Sequence, residues 1–125
     1  MRQPIRSFKD LIAWQKAFEL CIDVHRQTAR FPPEERYGLS FDLRKTSRSV
    51  VCNIAEGHQR ASTREFVRFL DIALASIAEL ETQILLAHRL GLFGVDPGRG
   101  LLSLADDVGR LVQALRGQVR RRLLW

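Results

Sequence analysis

The chain predicts an all-α fold, an up-down antiparallel four-helix bundle that fills a single domain over residues 1–125. Apolar residues recur at steps of three and four through four separate segments, the spacing that places them on one face of a helix. No segment alternates with the period of two that a half-buried strand needs. The links between segments are short and carry proline, glycine or capping residues, which makes consecutive helices antiparallel neighbours. The helices are expected over about 8–30, 40–60, 63–90 and 97–123.

Residues 1–6 read as a basic arm. Ser7 with Asp10 three residues on is a capping signal that opens the first helix. Leu11, Trp14, Phe18, Cys21 and His25 form its apolar stripe, and Ala13, Ala17, Leu20 and Val24 widen the buried face. The helix ends near Arg30, because Pro32 and Pro33 deny their predecessors the helical conformation. Gly38 closes the connection, and Ser40 is read as the cap of the second helix.

At about 100° per residue, the second helix carries one apolar stripe from Leu43, Ser47, Val50, Ile54 and Gly57. Roughly opposite lie Phe41, Arg48, Cys52, Ala55 and Gln59, so the back is partly apolar as well. A helix with two apolar sides is expected to be covered twice, and a second copy of the chain is the simplest second cover. Phe41, Cys52 and Ala55 are therefore the expected oligomer contacts. Ser62-Thr63-Arg64-Glu65 reads as a capping box for the third helix. Phe66, Leu70, Ala73, Ile77, Leu80, Ile84, Ala87 and Gly91 then keep a strict 4-3 rhythm, a bundle seam of coiled-coil type. Gly91 and Gly94 stop it. Asp96-Pro97 reads as an N-cap with a first-turn proline, followed by Leu101, Ala105, Val108, Val112, Leu115 and Val119. Four glycines, Gly98, Gly100, Gly109 and Gly117, weaken this last helix, each by ~1 kcal/mol relative to alanine.

Composition is that of a soluble globular protein, 46% hydrophobic and 27% charged. No apolar run approaches the ~18 residues of a membrane span. The opening MRQPIRSFKD lacks the apolar core of a signal peptide, so cytoplasmic residence is expected. Cys21 and Cys52 form neither a disulfide framework nor a zinc pattern. The formal net charge of +6 points to nucleic acid or another polyanion. Only Lys9, Lys16 and Lys45 among the basic residues are lysine, and arginine suits bidentate phosphate contact. A GC-rich genome would give the same bias.

An enzyme is the weakest reading. A di-iron bundle site needs Glu-x-x-His on two helices, and no Glu here has a His three residues later. Cys21 and His25 lie one turn apart, but a buried thiol beside a boundary histidine is the plainer reading. His58 and His88 sit on polar or boundary faces, and no glycine-rich phosphate loop is present. No catalytic residue, metal or cofactor is expected. Asn53, Glu56 and Arg60 share one flank of the second helix and could bond a neighbouring helix or protomer. The plainer alternative is a Glu56–Arg60 ion pair, with Asn53 serving a backbone group.

Two basic clusters remain as candidate nucleic-acid contacts. Arg44, Lys45, Arg48, Arg60, Arg64 and Arg68 span the second and third helices. Arg110, Arg116, Arg120, Arg121 and Arg122 lie on the fourth, with no acid after Asp107. The end Leu123-Leu124-Trp125 could stack on nucleic acid; a solvated face and a frayed end are the alternative. Repetition around a ring of protomers would sum the field of such patches.

The same residues carry a family resemblance. The marks are Phe31-Pro32, Tyr37-Gly38-Leu39, Leu43-Arg44, Asn53-Ile54-Ala55-Glu56-Gly57, Arg60, Ser62, Glu65-Phe66, Phe69-Leu70, Ala73, Ser76 and Glu79-Leu80. With FKDLIAWQKAFEL before them, they make residues 8–93 resemble the 23S rRNA-intervening sequence proteins, which are four-helix bundles. Cys52 departs from that pattern, where a small residue or proline often precedes the Asn. The resemblance implies a homopentamer, and it extends to the accessory variability proteins of diversity-generating retroelements, basic pentamers that bind reverse transcriptase and nucleic acid. On this reading Asn53, Glu56, Gly57, Arg60, Ser62 and Glu65 are structural motif residues. The expected function is a non-enzymatic oligomeric bundle that binds nucleic acid, with RNA the expected kind, through Arg-rich faces. The alternative is a protein-binding scaffold or accessory subunit without a nucleic-acid role.

Overall fold

Capping and chain-breaking residues set the segment ends in the computed structural model, which describes residues 4–124. A short 3-10 turn, Phe8–Asp10, precedes helix α1, Ile12–Thr28. A second such turn, Pro33–Glu35, leads into α2, Leu39–Gln59; then come α3, Thr63–Arg89, α4, Val95–Arg121, and a closing 3-10 turn, Arg122–Leu124. The described residues contain no strand. Each helix packs on its neighbour in the chain, and α1 closes against α4. Contacts across the helices fix their directions. Ser40 reaches Thr28 while Ser47 reaches Cys21. Ser49 meets Ser76, and Asp71 meets Arg116. Every consecutive pair is therefore antiparallel, the up-down four-helix arrangement the periodicity predicts. No described helix is long and apolar enough to cross a membrane.

The inner stripes of α2, α3 and α4 are buried where expected: Leu43, Val50, Ile54, Leu70, Leu80, Ile84, Val108 and Val112 are all fully enclosed. Burying each such side chain is worth about 1.5–3 kcal/mol. On α1 the emphasis is reversed. Ala13, Ala17, Leu20 and Val24 form the centre of the buried face, and Phe18, expected inside, is exposed. It lies roughly 120° from that centre by helical geometry, while the small alanines let the neighbouring helices approach. Trp14 stacks on Phe18 with ring centroids 5.0 Å apart, and Phe8 meets Trp14 edge-on.

The caps also correct the sequence reading. The Ser7–Asp10 box exists, but it closes the separate turn before Leu11, whose extended backbone starts α1 afresh at Ile12. The Asp10 carboxylate accepts from the N–H groups of Arg6 and Ser7, which holds its pKa below the usual carboxylate value. Gly38, not Ser40, precedes α2; Glu35 accepts the Leu39 N–H, and the Ser40 hydroxyl donates to the Thr28 carbonyl instead. At α3 only half of the capping box forms, because Ser62 accepts from the Glu65 N–H while the Glu65 carboxylate turns to Arg68. Gly94 caps α4, and Asp96 lies inside its first turn. Gly91 does end α3 as expected: its φ of 76° allows Leu92 N–H to reach the Ala87 carbonyl, a Schellman closure.

Candidate nucleic-acid interface

The first basic cluster divides into cations that build the fold and cations that face solvent. Arg44 is half-buried at the α1–α2 seam. It donates to Thr28 Oγ1 at 2.8 Å and to the His25 carbonyl at 3.3 Å. A cation there suits the carbonyl end of α1, where the helix dipole is negative. His25 Nδ1 lies 2.8 Å from the Cys21 carbonyl and so carries the proton, leaving Nε2 to accept from Arg48 at 3.2 Å. Arg48 itself is exposed, as are Lys45 and Arg64. None of these three has a carboxylate within ion-pair distance among the described residues.

At the α2–α3 corner the cations are structural. The Arg60 and Arg68 guanidiniums lie 4.6 and 4.7 Å from the centroid of Phe69, a ring only 6% exposed. Arg68 also grips Glu65 with two bonds, 2.7 and 3.2 Å long. That pairing holds the Glu65 carboxyl below, and the Arg68 guanidinium above, its ordinary pKa. Gly57 lets the corner close, since a Cβ there would stand 2.7 Å from Phe69 Cβ and 3.0 Å from Phe66 Cδ1. The polar trio of α2 does not act together. Asn53 donates to the carbonyl and hydroxyl of Ser49, which in turn meets Ser76. Arg60 packs on Phe69, so the Glu56–Arg60 ion pair does not form among the described residues.

The second cluster is smaller than its sequence. Arg116 pairs with Asp71 of α3, which raises its pKa, and Arg110 pairs with Asp106 and Asp107. The acids that neutralise them come before Arg110 in the chain or from another helix, so counting acids along the tail could not find Asp71. Arg120, Arg121 and Arg122 stay exposed without a carboxylate partner among the described residues. The Leu124 side chain and Trp125 lie outside the described residues.

Phe41 is 48% exposed, Cys52 is exposed, and Ala55 is half-buried on the outer face of α2. Local burial pushes the Cys52 thiol up, away from thiolate reactivity. No three metal-ligating side chains converge among the described residues.

Sequence reasoning missed one feature, a cleft of about 500 Å³ beside the connection between α1 and α2. Arg36, Tyr37, Phe41, Arg44 and Arg48 line it together with Pro32. Tyr37 is 83% exposed, with the Arg36 guanidinium 5.4 Å from its ring centroid. The adjacent Arg-Tyr before Gly38 was the available signal, but only the fold brings it beside Arg48.

Comparison with known proteins places these features in a family. Residues 9–114 match the family model described as 23S rRNA-intervening sequence protein. Among solved structures, the fold is similar to a 1.70 Å crystal structure from Bacteroides thetaiotaomicron, of a protein with unknown function from the S23 ribosomal protein family. The TM-score is 0.79 at 19% identity, over 85% of this chain and 96% of that one, a likeness of fold alone. No curated protein matches the chain.

Proposed function

The chain belongs to the 23S rRNA-intervening sequence protein family, and we propose that it is a non-enzymatic, homo-oligomeric bundle whose ligand is nucleic acid, namely RNA. The observation that carries this reading is the set of exposed cations that internal pairing leaves in the two basic clusters: Lys45, Arg48, Arg64 and Arg120–Arg122. A phosphate backbone supplies the countercharge, and repetition of the set in an oligomer multiplies the attraction. The assembly is a closed ring, five protomers by the family resemblance, with Phe41, Cys52 and Ala55 on the contact face. A basic pentamer of this kind also fits the accessory variability proteins of diversity-generating retroelements. Cytoplasmic residence goes with that role.

Light scattering coupled to size exclusion, with and without a structured RNA at low and moderate salt, tests the reading. A pentamer-sized species should shift with RNA and lose the shift as salt rises. An oligomer that ignores RNA at low salt refutes it. Ala55→Glu should lower the mass in solution while leaving the helical content intact; an unchanged mass removes the α2 interface.

A second reading, a protein-binding scaffold, is favoured by one observation. Leu86 and Leu90, one turn apart on the same side of the end of α3, are 49 and 61% exposed. Under that reading, neutralising Arg120–Arg122 leaves partner binding unchanged.

A further inference from the structure

We propose that the cleft beside the α1–α2 connection receives unpaired nucleotides of a single-stranded nucleic acid. One base stacks on Tyr37, and the adjoining phosphates lie against Arg36 and Arg48. This inference rests on the nucleic-acid reading above and states where, and in what form, the strand is held.

Three features of the cleft support it. Its lining contains three arginines and no carboxylate. Of the connector's two acids, Glu34 and Glu35, neither lines the cleft, and Glu35 is engaged with the Leu39 N–H at the start of α2. The charge is therefore complementary to phosphate. Secondly, the aromatic group that receives the base is presented outward. An 83% exposed tyrosine buries little within the protomer, whereas base–aromatic stacking gives such a ring a partner whatever the base. Arg36 already lies over Tyr37, as a guanidinium does in mixed stacks with bases.

The third feature is rigidity. Pro32 and Pro33 line the rim and fix its backbone, so little ordering is required when a strand arrives. Arg44 is pinned by Thr28 and the His25 carbonyl, giving a charge in the lining that does not move. Arg48 is steadied by His25 Nε2. A duplex keeps its bases stacked inside and offers Tyr37 none of their faces, so the cleft favours unpaired strand over paired. Stacking and phosphate contact are common to RNA and DNA.

Fluorescence anisotropy with labelled oligouridine, the matching oligothymidine and a blunt RNA duplex tests the site. Tyr37→Ala should weaken both single strands by about tenfold or more, the range of base–aromatic stacking. Duplex affinity should be unchanged, and Tyr37→Phe should restore wild-type binding. Arg36→Gln should weaken every ligand and reduce the salt slope by about one. Wild-type protein that binds none of the three probes overturns the nucleic-acid reading and this site with it. Wild-type affinity in Tyr37→Ala, with binding lost only when Arg120–Arg122 become Gln, leaves that reading standing and overturns this site alone. An acidic, aromatic-bearing peptide whose binding needs Tyr37, in a protein that binds no strand, overturns both. Circular dichroism should show Tyr37→Ala fully folded, because the removed ring is exposed.

Discussion

Both ends of α2 place a guanidinium over an aromatic ring, and the two rings differ in almost everything else. At the α2–α3 corner, Phe69 is 6% exposed beneath Arg60 and Arg68, and Arg68 is further held by Glu65. At the α1–α2 connection, Tyr37 is 83% exposed beneath Arg36 alone. The corner uses its cations to seal a tight helix crossing, so they have little left to offer a ligand. The connection leaves both ring and charge facing solvent. The same residue chemistry is stabilising in one place and available for binding in the other, and burial of the ring decides which. Charge counted along the sequence overstates the interface, because it gives Arg60 and Arg68 the same weight as Arg48.

The largest test of this contrast is removal of each ring. Phe69→Ala should cost about 3–5 kcal/mol, since it empties a buried aromatic site and strips two guanidiniums of their platform. Tyr37→Ala should stay within about 0.5 kcal/mol of wild type. Urea unfolding followed by circular dichroism at one fixed protein concentration measures both, because assembly makes stability concentration-dependent. Equal costs at the two positions would mean that Tyr37 is covered in solution. The next test is Gly57→Ala. Alanine normally stabilises a helix interior by ~1 kcal/mol over glycine. Here the added Cβ would stand 2.7 Å from Phe69 Cβ, so a net loss of about 1–3 kcal/mol is expected from overpacking. Gly100 has nothing within 4 Å of the same added atom, and Gly100→Ala should stabilise. A melting temperature that rises in both variants would show the corner to be looser than its geometry.

The fold was legible because helical periodicity reports burial directly. The seam from Phe66 to Ala87 and the inner stripe of α2 lie where their spacing puts them. Ends were less legible, since a capping residue competes with its neighbours: Asp10 and Ser7 close their own turn, and Glu35 displaces Ser40 at α2. Phe18 lies outside although its spacing fits a stripe, because the alanines beside it, Ala13 and Ala17, set the helix contact. At the candidate interface the missing information was long-range. Asp71 lies far from Arg116 in sequence, and nothing local to Arg44 announces its bonds to Thr28 and His25. Local signals identify cations; only packing shows which are paired.

That distinction gives a further test along α2. Arg44→Ala should cost about 1–2 kcal/mol, because the His25 carbonyl loses a charged donor in a half-buried seam. Arg48→Ala, at an exposed position on the same outer side, should change stability by less than about 0.5 kcal/mol. Binding should respond in the opposite order, with Arg48→Ala weakening nucleic acid and lowering the salt slope by about one. If Arg48 proved as costly as Arg44, its bond to His25 would be structural and the exposed set would shrink.

The smallest expected effect concerns the Glu65–Arg68 pair, and it asks whether the corner cations are held in solution. Arg68 lowers the Glu65 pKa by donating two hydrogen bonds to the ionised carboxylate and by placing its positive charge beside it. A carboxyl whose folded pKa is depressed adds stability above its unfolded pKa and loses it as pH falls through the folded value. The corner should therefore weaken on acidification, slightly, because both groups are solvent-screened. Carbon-detected NMR should find Glu65 titrating below the ordinary carboxylate range, and returning to it in Arg68→Gln. A midpoint that does not move would mean that Arg68 is not bound to Glu65. Arg68 would then rejoin Arg48 and Arg64 among the cations free to meet a phosphate, and the two ends of α2 would differ only in their rings.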